Sequence, residues 1–336
     1  MVSAEYMKRA LELAETARGK TRTNPLVGAV IVKDDHIIAE GLHSSFGSDH
    51  AEVDALKRAG ELANNADLYV TLEPCNHFGK TPPCVEAVKS AGIKRVIAAT
   101  VDPNPVVNGA GIRELQSAGV EVITGVCEQE ARKLNEVYFK YIVTGMPFVT
   151  LKIAQTLDGF IADANSKSKW ITSEESRHKV HQLRAQVDAV LVGANTARHD
   201  DPMLSSHGCG RDPMRIVLSR SGKIPSHLKI NGKNTGGRTL VVGADRELRG
   251  ILLQLGHDGI TSVLVEGGSQ VFTQFIEAGL VDKFIFVIAA KLLGGGLPAF
   301  QNGVNRAIDE SLRLRFEHIE QVGGDIWIEA YPGEAN

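Results

Sequence analysis

A chain of 336 residues that is 43% hydrophobic and 23% charged has the composition of a soluble globular protein, with length enough for two domains of ordinary size. Its formal net charge of −3 argues against a surface built to hold a polyanion. Four cysteines form no disulfide framework, Met1-Val2-Ser3-Ala4-Glu5 lacks the basic start of a secretory signal, and the longest apolar runs, such as residues 283–290, are only strand-length, so a cytoplasmic protein without a membrane span is expected.

Residues 3–18 are predicted as an amphipathic helix: Tyr6, Ala10, Leu13 and Ala17 recur at helical spacing and Gly19 stops it. Thr23-Asn24-Pro25 reads as a turn, and residues 27–33 and 37–42 as a hairpin around Asp34-Asp35. A helix from Ala51 to Ala59 follows. Residues 68–72 form a buried strand that delivers Pro74-Cys75 at its end. Pro82-Pro83-Cys84 then opens a helix, because proline is tolerated in the first turn. Residues 95–99 and 120–124 read as strands, 111–118 as a helix, and 128–141 as a single closing helix. This alternation argues for a layered α/β domain.

Within that domain, His50, Cys75 and Cys84 offer one imidazole and two thiols, a donor set suited to zinc. Three protein ligands leave a fourth tetrahedral position for water, which marks a catalytic site rather than a structural one. Glu52 stands two residues after His50 and is placed to carry protons. Together these are the parts of a zinc-dependent deaminase. Two plainer readings remain open. Asp49 and Glu52 also fit a capping box at a helix start. His77 would close a structural four-ligand site. Cys127 and Cys209 are isolated and are expected to be small buried hydrophobes.

Thr144-Gly145-Met146-Pro147 reads as a linker, and a second α/β domain is predicted beyond it. Its strands are expected at 148–154, 189–193, 215–218, 239–242, 262–265, 283–290 and 325–329, with Asp158-Gly159 a turn before Phe160-Ile161-Ala162. Helices are expected from Ser173 to Val187 and over 270–278. Gly267-Gly268 between a strand and a helix, the stretch from Gly193 to Asp200 containing Thr196, and Gly294-Gly295-Gly296 read either as places where an anion meets bare amides or as ordinary loop turns after strands. No strand–GxGxxG–helix signature occurs, so a Rossmann site is not indicated. Lys152 lies inside an apolar strand, as a site residue or as an edge lysine reaching for water. Glu266 lies at the carboxyl end of a strand, as a ligand contact or as the cap of the next helix. Arg177, His178, His181 and Arg184 fall at helical spacing and read mostly as a solvated face, from which one reaches for an anionic ligand.

Thr23-Asn24-Pro25, His50-Ala51-Glu52 and the run from Pro74 to Cys84 resemble the bifunctional riboflavin-biosynthesis deaminase/reductase family. Trp170-Ile171-Thr172-Ser173, Asp200-Asp201-Pro202 and Val265-Glu266-Gly267-Gly268 resemble its reductase half, so the likeness covers nearly the whole chain. It implies an α/β fold of two domains. Residues 1–144 would be a cytidine-deaminase-like three-layer α/β/α zinc-dependent pyrimidine deaminase. Residues 147–336 would be a dihydrofolate-reductase-like NADPH-dependent reductase. The implied substrates are small pyrimidine ribosyl and ribityl phosphates, neither nucleic acid nor membrane, and the implied assembly is a homodimer or higher homo-oligomer.

By the same resemblance, His50, Cys75 and Cys84 hold zinc and Glu52 shuttles the proton. Asn24, His43 and His77 contact the pyrimidine, and Lys80 and Thr81 its phosphate. Ala154, Trp170, Thr196, Asp200 and the run Gly268, Ser269, Gln270, Val271, Phe272, Thr273 and Gln274 match NADPH positions. Ser168, Arg184, Leu204 and Glu266 match substrate positions, with Lys152 catalytic beside Glu266. The sequence departs from the family where His207 stands in place of an arginine and Ser219 in place of an acidic residue. Two rival classes stay in view: a nucleic-acid deaminase with a binding module, and a zinc-stabilised scaffold in which Glu52 is silent.

Overall fold

A computed structural model describes residues 2–78, 82–232, 237–243, 247–301, 303 and 306–333, and its contacts divide the chain into two units, Met1–Gly145 and Met146–Asn336. Unit 1 runs α1 (Ala4–Glu15), β1 (Gly28–Lys33), β2 (His36–Leu42), α2 (Ala51–Ala59), β3 (Asp67–Val70), α3 (Cys84–Ser90), β4 (Arg95–Ala98), α4 (Ala110–Ser117), β5 (Glu121–Thr124), α5 (Glu128–Leu134) and α6 (Glu136–Thr144). Its five strands lie in the order β2-β1-β3-β4-β5, with β1 antiparallel to both neighbours and β3, β4 and β5 parallel.

Strand side chains alternate between faces, and β1, β3 and β4 are covered on both, so these central strands are largely apolar. Ala29 and Ile31 of β1 meet Ala55 of α2 and Val85 and Val88 of α3. Val30 and Val32 meet Met7 and Ala10 of α1 and Ala131 of α5 on the opposite face. The result is a three-layer α/β/α unit. A side chain on Gly41 of β2 would stand 2.1 Å from the Ala51 carbonyl, so glycine lets the start of α2, where His50 sits, press onto the sheet.

The closing helix is not continuous. Asn135 interrupts it between α5 and α6: its buried side chain accepts from the Leu26 amide at 2.7 Å and donates to the Leu26 carbonyl at 2.9 Å. An asparagine that serves a distant backbone in this way ends the run its neighbours would extend.

Unit 2 runs β6 (Phe148–Thr156), β7 (Phe160–Ala162), α7 (Glu174–Gln186), β8 (Ala189–Gly193), α8 (Ala194–Asp200), β9 (Met214–Ser219), β10 (Thr239–Gly243), α9 (Leu248–His257), β11 (Ser262–Gly267), α10 (Ser269–Glu277), β12 (Lys283–Ala289), β13 (Leu297–Pro298), β14 (Leu314–Val322) and β15 (Asp325–Pro332). Its eight-stranded sheet has the order β10-β9-β8-β11-β6-β12-β15-β14, parallel from β10 to β12 and antiparallel beyond. Leu151 and Ile153 of β6 and Val263 and Val265 of β11 face Leu252 of α9 and Phe275 of α10. Lys152 and Glu266 alternate with these residues, so they stand on the other face.

Several expectations need correcting. The stretch from Gly193 to Asp200 is largely the helix α8, not an open turn. β6 is an interior strand with Lys152 buried, so the edge-lysine reading fails. α9 and β14 went unread in the sequence; β14 is an edge strand whose residues are largely exposed and leave little apolar pattern. Cys127 and Cys209 are partly exposed rather than buried.

Candidate active site

In unit 1 the three expected ligands converge. The Nδ1 of His50 lies 3.1 Å from the Cys84 sulfur and 3.5 Å from that of Cys75, and the sulfurs are 3.5 Å apart. A tetrahedral zinc with Zn–N of about 2.0–2.1 Å and Zn–S of about 2.3 Å sets donor-to-donor edges of about 3.5–3.8 Å, so one such ion fits this triangle. His50 is the N-cap of α2, Cys75 follows the end of β3, and Cys84 is the first residue of α3. Among the described residues this is the only group of three or more His, Cys, Asp and Glu placed to share an ion, and His77 is not part of it. The four-ligand structural reading therefore falls.

Glu52 is buried in the first turn of α2, and its acid is pushed up to about 7, chiefly by burial and then by the charge of Cys75. The Cys75 thiol is held down to about 4 by hydrogen bonding from Cys84 and His50, while Cys84 is pushed up, so the two sulfurs compete for one negative charge. No capping box forms. Asp49 pairs with Lys57 at 2.5 Å, and α2 has no side-chain cap.

The Asn24 amide donates to His43 Nε2 at 3.1 Å, and His43 Nδ1 donates to the Asp49 carbonyl at 3.0 Å. That pattern fits a neutral imidazole, and burial lowers the pKa of His43 accordingly. The His43 ring stands edge-on to His50, 5.6 Å between centroids. Asn76 Oδ1 and His77 Nδ1 are buried and find no hydrogen-bond partner among the described residues, so they are free to meet a ligand. Lys80 and Thr81 lie outside the described residues.

In unit 2, Lys152 Nζ lies 3.0 Å from Glu266 Oε2, while Arg184 donates its Nε to Oε1 at 2.6 Å and an NH2 to Oε2 at 2.9 Å. Of the cations on that helix face, Arg184 is the one that turns in to pair with Glu266. Burial raises the acid of Glu266, but Arg184 and then Lys152 outweigh it and hold it well below the usual carboxylate range. The His181 and His207 rings lie close beside Arg184, their centroids 4.1 Å apart and their planes tilted by 31°. Ser168 donates to Asp200 at 2.8 Å. Trp170 is exposed under the Arg177 guanidinium. Leu204 is buried, and Ser219 donates to the Lys223 carbonyl.

A side chain on Gly268 would meet Thr196 Oγ1 at 2.9 Å, and one on Gly193 would meet Val271 at 2.9 Å. The starts of α8 and α10 therefore abut at the carboxyl ends of adjacent parallel strands, where α/β ligands bind. Ser269 Oγ is buried there with no partner among the described residues. Val271 and Phe272 point into the core instead, so they face a ligand only through their backbone. Ala154 is partly buried on β6, and Gln274 borders a cavity of about 470 Å³ with Leu218 and Glu277.

Comparison with known proteins decides the kinship. The RibD C-terminal domain profile matches residues 147–328, and the cytidine and deoxycytidylate deaminase zinc-binding region matches residues 2–100. The riboflavin biosynthesis protein RibD of Aquifex aeolicus is 43% identical over 97% of this chain and 98% of its own length. The chain belongs to the RibD family. The Escherichia coli RibD is 39% identical over 96% of the chain and 97% of its own length. A solved Acinetobacter baumannii RibD superposes with TM-score 0.91 at 38% identity, covering 98% of this chain and 99% of its own. A Thermotoga maritima structure, named a diaminohydroxyphosphoribosylaminopyrimidine deaminase/5-amino-6-(5-phosphoribosylamino)uracil reductase, superposes with TM-score 0.89 at 39% identity and covers 98% of both chains.

As a RibD protein the chain is a bifunctional deaminase and reductase of riboflavin biosynthesis. Nothing in these relatives favours the nucleic-acid deaminase. Among the described residues, no helix is long and apolar enough to cross a membrane. Sequence reasoning passed over Glu73, Asp102 and Tyr138 beside the RibD deaminase centre. The signal for Glu73 was an acid directly before Pro74-Cys75 at the end of an apolar strand.

Proposed function

We propose that unit 1 hydrolytically deaminates a diaminopyrimidinone carrying a ribosylamino 5′-phosphate, and that unit 2 reduces the ribosyl group of the resulting uracil to ribityl with NADPH. His50, Cys75 and Cys84 hold the zinc, which when bound supplies the Lewis acidity that makes a water nucleophilic near neutral pH. Glu52 moves the protons: a buried carboxyl beside Cys84, its acid pushed up by burial, takes one from the water and returns it to the departing amine. Asn24 and His43 hold the ring on the His50 side, and the buried donors and acceptors of Asn76 and His77 meet its polar edge. The observation that carries this reading is the triangle of three donor atoms with a buried carboxylic acid beside it.

In unit 2 the nicotinamide cofactor, when bound, supplies hydride. Hydride transfer needs no protein nucleophile; the chain must hold both reactants in register and exclude water. The glycine-lined start of α10 and the unpartnered hydroxyl of Ser269 suit the cofactor's phosphates. Thr196 abuts Gly268 at that start, and the family resemblance adds Asp200 and Trp170 to the cofactor's contacts. Lys152, Arg184 and Glu266 fix the sugar side, where Ser168, Leu204 and His207 also stand. Purified protein loaded with zinc and given substrate and NADPH should release one ammonia and oxidise one NADPH per turnover. Ammonia release that persists after zinc is stripped, or reduction with no need of a nicotinamide cofactor, would overturn the assignment.

A further inference from the structure

Glu73 is a fully folded-in carboxylate that the chemistry above does not use. It follows β3, two residues before Cys75, and is 3% exposed. A carboxylate removed from water is costly unless hydrogen bonds replace its hydration. Here four backbone amides do so. Oε1 accepts from Gly111 at 2.9 Å and Ile112 at 3.2 Å; Oε2 accepts from Asp102 at 3.1 Å and Gly109 at 2.9 Å. Gly111 and Ile112 lie in the first turn of α4, a helix with no side-chain cap of its own, so Glu73 also meets the positive end of that helix. A side chain on Gly111 would stand 2.0 Å from the Pro74 carbonyl, so the two segments touch backbone to backbone.

The segment held in this way leads toward the deamination centre. Asp102 accepts from the Tyr138 hydroxyl at 3.2 Å and from the Asn104 amide at 2.9 Å, and it is itself 6% exposed. Gly111 abuts the carbonyl of Pro74, which directly precedes Cys75-Asn76-His77, so the segment backs the turn on which Asn76 and His77 keep buried polar atoms without partners among the described residues. Two of the three ligands, His50 and Cys84, and Glu52 stand on α2 and α3, elements that Glu73 does not bond.

We propose that Glu73 is a positioning residue of the deaminase. Its carboxylate ties the amides of Asp102, Gly109, Gly111 and Ile112 to the strand end bearing Cys75, and so sets the Asp102–Ile112 segment against the pyrimidine side of the site. This rests on reading unit 1 as the deaminase. It assigns Glu73 to substrate binding rather than to metal retention or proton transfer.

The test is Glu73→Gln in the full-length, zinc-loaded protein. Glutamine keeps one acceptor oxygen and turns an NH2 toward the other pair of amides, so half the clamp is lost at nearly constant shape. The deamination KM should rise about 10-fold while kcat stays within about 2-fold, the zinc content and the reductase activity stay those of the parent protein, and amide exchange quickens over residues 102–112 alone. A folded Glu73→Gln protein with the parent KM would overturn the proposal. So would loss of zinc, or a fall in kcat without a rise in KM. Should Glu73→Gln fail to fold, Glu73→Asp keeps the charge but, one methylene shorter, reaches only part of the set of amides. It should raise KM by about 2–3-fold, and a parent KM there would overturn the proposal equally. A zinc-loaded parent protein that releases no ammonia would instead strike at the deaminase reading itself.

Discussion

On adjacent parallel strands the Lys152 ammonium stands 3.0 Å from a Glu266 oxygen, and Arg184 holds the same carboxylate through two nitrogens. One buried acid therefore answers two cations. The triad keeps a net positive charge, which suits the anionic sugar phosphate proposed for unit 2. Removing either kind of charge should have different consequences. Lys152→Met leaves Glu266 paired with Arg184, so the stability loss should be about 1–3 kcal/mol, while reduction should slow by about 100-fold from lost alignment. Glu266→Gln leaves two cations facing each other and should cost about 3–5 kcal/mol. Both tryptophans, Trp170 and Trp327, lie in unit 2, so urea unfolding followed by fluorescence reads these losses directly. Unchanged reductase turnover in Lys152→Met would remove Lys152 from the site.

The same carboxylate fixes a pH dependence. The pKa of Glu266 is held below its unfolded value, so the stability it contributes is fully present above about pH 4.3 and is lost only as pH falls through the lower folded value. The stability difference between the parent protein and Glu266→Gln should therefore be flat from about pH 5 to pH 8 and shrink below about pH 4. A difference that grows on acidification would mean that Glu266 folds protonated.

Glu52→Gln should lower deamination by about 100- to 10,000-fold, the usual span for a proton-transferring side chain. It should leave one zinc per chain and an unchanged rate of NADPH oxidation with the deaminated intermediate. Assaying the two half-reactions separately checks this. Loss of both activities in a folded Glu52→Gln protein would show that one site serves both.

Chelation should silence unit 1 without unfolding it. α2 and α3 share a buried core with β1 and β3 that contains none of the three ligands, so the fold does not hang on the ion. Far-UV circular dichroism should stay constant as ammonia release falls to background, with only the lower melting temperature expected when a ligand of the native state is withdrawn. Unfolding on chelation would favour the scaffold reading of the zinc centre.

The metal triangle was legible because its spacing sits on elements with strong signals: a helix start, a strand end and a Pro-Pro-Cys helix opening. The buried strands were legible for the same reason, as short apolar runs bounded by turns. What escaped was set by contacts distant in sequence. Glu73 reads as an ordinary strand-end acid until amides 29 to 39 residues away close on it. Arg184 reads from its own helix as one more cation on a polar face; only the family resemblance set it at a substrate position, and the fold brings Glu266, 82 residues on, against it. β14 escaped because an exposed edge strand buries too little to leave a pattern.

Asn135 is the clearest case of long-range override, and it carries the last prediction. Propensity runs straight through residues 128–141, yet the side chain of Asn135 leaves the helix to pair with both backbone groups of Leu26, 109 residues earlier. Leu26 follows Asn24-Pro25, so this clasp fixes the segment from which the Asn24 amide reaches His43. Asn135→Ala would strand a buried amide and carbonyl and should destabilise unit 1 by about 2–4 kcal/mol, taking about 1–3 kcal/mol for each buried group left unsatisfied. Tryptophan is absent from unit 1, so the loss should appear as a far-UV transition that precedes the fluorescence transition of unit 2. The deamination KM should rise as Asn24 loses its anchor, with reduction unaffected. Coincident transitions with an unchanged KM would mean that α5 and α6 simply fuse across position 135 and that Leu26 finds other partners.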